Sequence, residues 1–72
     1  MTIGEKISFF RNNNNLTQKK LAELSGISEI SIRKYEAGER NPKKEQVLKL
    51  ARALNMNPSF FYEEELRTVD FE

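Results

Sequence analysis

Residues 16–38 read LTQKKLAELSGISEISIRKYEAG, and the spacing of apolar and turn-forming residues in this stretch decides the fold. Thr17 stands where a helix needs an N-cap, because its hydroxyl can accept one of the backbone N–H groups that a first turn leaves unpaired. Leu21 and Ala22 then face inward from a short helix. The Ser25-Gly26 pair ends it, since glycine takes the left-handed conformation that closes a helix without steric cost. Ser28 caps a second helix, predicted through about residue 37, with Ile32 and Tyr35 on its buried side and Gly38 as its stop. Two short helices joined by a tight glycine turn form a supersecondary unit suited to groove insertion.

Working outward, a helix is predicted over about residues 4–12, with Thr2 as candidate cap and Ile3, Ile7 and Phe10 on one stripe. The asparagines at 12–15 end it, and Asn15 is the candidate for a left-handed terminus because asparagine is the usual substitute for glycine there. Downstream of a polar loop over 38–41, Pro42 sits at or near a first helical position, where its missing N–H is harmless. Val47, Leu50, Ala51 and Leu54 follow the i, i+3, i+4, i+7 rule and close the core, and Asn55 ends that helix. Pro58 opens a fifth short helix carrying Phe60, Phe61 and Tyr62. No strand pattern and no internal repeat is present, so the fold class is all-α.

With 72 residues the chain fits one domain. A domain this small buries only about 60% of the surface its unfolded chain exposes, so its core must be nearly continuous. Cysteine and histidine are both absent. That excludes disulfides and thiolate or imidazole metal sites, and no acidic loop has calcium-type spacing, so no metal and no cofactor are expected. With no nucleophile and base to pair, an enzyme is not expected either. No apolar run approaches the ~20 residues of a spanning helix, and the N-terminus lacks a signal pattern, which suits a soluble, cytoplasmic protein with no membrane partner. The net charge of +1 hides an asymmetry: residues 1–57 hold eleven Lys/Arg against six Asp/Glu (+5), while 58–72 hold one against five (−4). A basic body with an acidic end fits a nucleic-acid partner, and is equally available to an ordinary solvated surface. The domain is accordingly drawn as 1–62, with 63–72 as an acidic C-terminal tail.

So laid out, the chain resembles the phage repressor/Cro-type helix-turn-helix family, also described as xenobiotic-response-element-like transcriptional regulators. The resemblance rests on Ile3-Gly4, Ile7, Arg11, Leu16-Thr17-Gln18, Leu21-Ala22, Ser25-Gly26-Ile27-Ser28, Ile32, Tyr35-Glu36, Gly38, Pro42, Ala51, Ala53-Leu54 and Met56. It departs at Asn15, where the family often has glycine, and at Lys44, where it frequently has an apolar residue. The resemblance implies a compact five-helix, lambda-repressor-like DNA-binding domain with the helix-turn-helix at helices 2 and 3.

It also implies roles. With Ile32 and Tyr35 inward, Ser28, Glu29, Ser31, Arg33 and Lys34 face outward and Ile30 lies at the edge; the base-contacting set is Ser28, Glu29, Ile30, Arg33 and Lys34. Lys34 suits guanine O6 and N7, Glu29 a cytosine amino group, and Ile30 a thymine methyl. Each also has a plainer role: Ser28 as a cap, Glu29 as a partner of the helix dipole, and the cations as a solvated face. Phosphate contacts are expected from Thr17, Gln18 and Lys19 at the start of helix 2 and from Arg40, Asn41 and Lys43 in the loop between helices 3 and 4 and at the start of helix 4. Arg11 and Glu36 form a structural ion pair. One such domain reads only a few base pairs, so a homodimer on a palindromic operator is expected, with Phe60, Phe61, Tyr62 and Leu66 as its interface, although Phe61 also suits a core position. Phe9, beside an inward Phe10, is expected to be covered by the tail or used between subunits. The default function is a repressor on double-stranded DNA. The alternative is an antitoxin or other protein-binding module whose acidic, aromatic C-terminus docks a toxin or other protein antagonist.

Overall fold

Three hydroxyls set the helix starts. Thr2 and Glu5 form a reciprocal capping box, Thr2 N–H donating to Glu5 Oε1 at 2.9 Å and Glu5 N–H to Thr2 Oγ1 at 3.2 Å. Thr17 Oγ1 accepts from Lys20 N–H at 3.0 Å, and Ser28 Oγ from Ser31 N–H at 3.1 Å. The computed structural model describes residues 1–62, arranged as α1 (Ile3–Asn13), α2 (Gln18–Ser25), α3 (Glu29–Ala37), α4 (Lys44–Ala53) and a closing 3-10 helix (Pro58–Tyr62). The described residues contain no strand, and no described helix is long and apolar enough to cross a membrane. The acidic segment 63–72, with Leu66, lies outside the described residues.

Helix ends follow residues that tolerate left-handed backbone. Asn15 (φ 58°) turns the chain after α1, Gly26 (φ 78°) after α2, Gly38 (φ 79°) after α3 and Asn55 (φ 58°) after α4. At Asn15 and Asn55 a short polar side chain lowers the cost that a Cβ imposes there.

One expectation is corrected and one is narrowed. The fifth helix is a single 3-10 segment, leaving four α-helices among the described residues. Phe60 N–H bonds back three residues to Asn57 O at 3.1 Å, and Asn57 Oδ1 takes Ser59 N–H at 2.9 Å. Such tight i to i+3 closure favours 3-10 geometry in short pieces. Pro42 is not at the first position of α4, which starts at Lys44 after Lys43 as N-cap. Lysine carries no acceptor, so this cap makes no side-chain hydrogen bond.

The core gathers one stripe from each helix: Ile7, Leu21, Ile32, Val47 and Leu50 are fully buried, surrounded by Ile27, Tyr35, Ala51, Leu54 and Phe61. Several contacts hold α1 in place. Gly4 crosses α3 so closely that a Cβ there would overlap the carbonyl oxygen of Tyr35. Lys6, only 8% exposed, sends its ammonium to Phe60 O at 3.2 Å and Phe61 O at 3.3 Å, tying α1 to the 3-10 helix. Phe10 meets Phe61 edge-on, with centroids 5.9 Å apart. Phe9, about 100° further round the helix, stays half exposed with its ring against Phe10.

Candidate nucleic-acid interface

The α2–α3 junction is fixed by short hydrogen bonds. Gly26 N–H donates to Ala22 O at 2.9 Å and Ile27 N–H to Ser25 Oγ at 3.2 Å, while Ile27 is buried. This tight turn directs α3 across the body with Ile32 and Tyr35 underneath. At about 100° per residue the opposite side of α3 falls on Ile30, Arg33 and Lys34. Ile30 is 61% exposed and sits mid-face, not at its edge. Glu29 and Arg33 occupy one flank and pair with each other at 3.3 Å. Ser31 and Lys34 lie on the other. Ser28, at the head of the helix, donates its hydroxyl hydrogen to Ser31 Oγ at 2.9 Å. The five predicted base-contacting residues are thus collected on and just before the first two turns of one exposed helix.

Behind this face lies a polar hub that sequence spacing reveals only in part. Arg11 engages Glu36 in bidentate fashion, Nε to Oε2 at 2.7 Å and Nη2 to Oε1 at 3.0 Å. The two side chains are 13% and 9% exposed. The same guanidinium donates Nη1 to Leu16 O at 2.7 Å, while Leu16 N–H returns to Arg11 O at 3.1 Å. Gln18 completes the hub, donating Nε2 to Glu36 Oε1 at 3.1 Å. An ionised carboxylate only accepts hydrogen bonds, so this contact fixes which way round the Gln18 amide sits. No periodicity in the chain signals a link between positions 18 and 36. Lys6 was missed for a similar reason: its acceptors are main-chain carbonyls, which leave no side-chain signature.

The expected phosphate-contacting residues fall into two groups. Thr17, Gln18 and Lys19 surround the start of α2, with Thr17 and Lys19 exposed. Asn41 and Lys43 are exposed in the loop before α4. Arg40 belongs to that loop, yet its Nη1 donates to Ser31 Oγ on α3 at 3.3 Å. Of the proposed interface residues, Phe60 and Tyr62 are exposed and Phe61, 4% exposed, lies in the core, so it offers no surface to a second subunit.

Three comparisons bear on this geometry. The control protein C.SmaI of Serratia marcescens is 42% identical over 53 residues, covering 74% of this chain and 63% of that protein. The solved structure of the restriction-modification controller protein C.AhdI from Aeromonas hydrophila superposes with a TM-score of 0.80 at 34% identity, covering 82% of this chain and 89% of that one. The P22 c2 repressor, solved in complex with synthetic operator 9T, gives 0.78 at 30% identity, covering 85% and 92%. The chain spans 44 to 63% of the length of the curated relatives it matches. A helix-turn-helix family model matches residues 7–61, which takes in the whole of α2, α3 and the hub behind them, and the chain therefore belongs to the helix-turn-helix family of transcriptional regulators.

Proposed function

We propose that this chain is a sequence-specific repressor of transcription that binds a palindromic operator on double-stranded DNA as a homodimer, with residues 28–37 in the major groove. In this reading 1–62 is the DNA-binding domain and 63–72 an acidic appendage. The observation that carries it is the exposed face of α3, where a solvent-facing Ile30 is flanked by Glu29, Arg33 and Lys34 while the opposite side seals the core. A β-branched apolar residue has no packing role at such a site, and a thymine methyl gives it one. The major groove is about 12 Å wide and accepts one α-helix. Ser28 and Glu29 meet the bases first, Lys34 donates to guanine, and Arg33 is held ready by Glu29.

Register comes from the phosphates. Thr17, Gln18 and Lys19 present the start of α2 to one strand, where backbone N–H groups and the helix dipole favour an anion. Glu36 steadies Gln18 for this contact, and Arg11 cancels the carboxylate charge that would otherwise repel the backbone. Asn41 and Lys43 meet the sugar-phosphate chain on the far side. Two such domains with recognition helices about 34–36 Å apart would face successive turns of the groove, and Phe60 and Tyr62 supply exposed aromatic surface for pairing.

The test is selection of bound duplexes from a random library at fixed salt, repeated with Lys34→Ala. Relaxed preference at one position is expected for a base contact. Uniform weakening, with a salt slope shallower by about 1, would assign Lys34 to a phosphate instead. Failure to select any sequence refutes DNA recognition, and a monomer by sedimentation both free and on DNA refutes the dimer.

A further inference from the structure

We infer that Arg40 reads a base, guanine, as a second specificity element placed beside Lys34 from outside α3, an inference that rests on the DNA-binding reading above. A loop arginine that only grips phosphate needs reach and charge. Arg40 is instead folded back nine positions along the chain, with Nη1 donating to Ser31 Oγ at 3.3 Å. Ser31 is itself held: its Oγ accepts from Ser28 Oγ at 2.9 Å and its N–H donates to Ser28 Oγ at 3.1 Å. The guanidinium is therefore attached to the first turn of α3, on the flank it shares with Lys34, and travels wherever that turn goes.

The chemistry of the remaining donors fits one base. Nη1 is tethered, and among the described residues Nε and Nη2 of this exposed side chain have no hydrogen-bond partner. Those two N–H groups lie on one edge of the planar guanidinium, at the spacing that matches guanine O6 and N7. Lysine offers no such fork, so Arg40→Lys keeps the charge and removes the recognition. The tether lowers the rotamer freedom lost on contact, which is how a loop side chain becomes selective as well as adhesive.

The test is library selection with the full chain, wild type beside Arg40→Lys, Arg40→Ala and Ser31→Ala, each binding isotherm repeated across salt. None of these positions is in the core, and circular dichroism checks the fold. Expected is a preference for guanine at one position next to the base read by Lys34. Arg40→Lys should weaken that preference roughly tenfold with the other positions and the salt slope kept, and Ser31→Ala should lose part of it at the same position. If Arg40→Ala weakens all duplexes alike and makes the slope shallower by about 1, Arg40 grips phosphate and the inference falls. It falls too if Arg40→Lys and Ser31→Ala select the wild-type sequence unchanged. Those outcomes leave the DNA-binding reading intact, whereas a wild-type protein that selects no sequence removes both.

Discussion

Replacing Glu36 by alanine leaves the Arg11 guanidinium, 13% exposed, with a single protein acceptor, Leu16 O. Three hydrogen bonds disappear together, at 2.7, 3.0 and 3.1 Å, two from Arg11 and one from Gln18. Breaking a buried pair from one side costs about 3–5 kcal/mol, because the surviving charge stays desolvated. A domain of this size holds on the order of 5 kcal/mol in total, so Glu36→Ala should sit close to its unfolding midpoint at ordinary temperatures. Removing both partners is different. Arg11→Met with Glu36→Leu buries no charge, and what remains is the Leu16 carbonyl stripped of its donor and the half-buried Gln18 amide without its acceptor, a loss of about 1–3 kcal/mol. The coupling between the two positions should therefore exceed about 2 kcal/mol. Urea unfolding followed by far-ultraviolet circular dichroism at low temperature measures all four corners of the cycle, namely wild type, Arg11→Met, Glu36→Leu and the double variant, with Glu36→Ala beside them. A Glu36→Ala protein within about 1 kcal/mol of wild type, or a double variant as unstable as the two single losses added, would refute this account of the hub. The same measurement shows whether a loss of DNA binding in either single variant is merely a loss of folding.

Other substitutions test other joints. Gly4→Ala gains helix preference of about 1 kcal/mol but forces α1 off the Tyr35 carbonyl, for about 1–3 kcal/mol of overpacking; a lower melting temperature is expected, and an unchanged or higher one would contradict the close crossing. Lys6→Met keeps the alkyl stem and removes two donations to the carbonyls of Phe60 and Phe61, so the 3-10 helix should exchange its amide hydrogens faster than the rest of the domain, with about 1–3 kcal/mol lost overall. Uniform exchange would argue against the tie. Asn15→Gly should be neutral or slightly stabilising at φ 58°, while Asn15→Val should lose at least about 1 kcal/mol; equal melting temperatures for the two would remove the left-handed strain argument.

The α-helices were legible because their signals are local. Thr2, Thr17 and Ser28 marked three starts and Asn15, Gly26 and Gly38 three ends, and Ile7, Leu21, Ile32, Val47 and Leu50 fell on the predicted stripes. Misreadings arose where chain geometry depends on what lies across the fold. Pro42 permits a helix start but does not compel one, so α4 began two residues later than its proline. Phe61 carries the same aromatic signature as Phe60, and its place in the core cluster, with its ring edge-on to Phe10, separates it from its exposed neighbour. At the interface, the outward set on α3 follows from Ile32 and Tyr35 alone. Charge and loop position suggested Arg40 only as a phosphate ligand, since nothing local announces its tether to Ser31.

The tie from Lys6 to Phe60 and Phe61 spans 54 and 55 positions, almost the whole described domain. On a ribosome, which delivers the N-terminal end first, α1 through α3 emerge well before the residues that lock α1 down. Helix α3 exists early as a local structure but without its full foundation. Completion waits for the Pro58–Tyr62 segment to clear the exit tunnel, so a product cut short before Phe61 should be cleared by proteases before it accumulates.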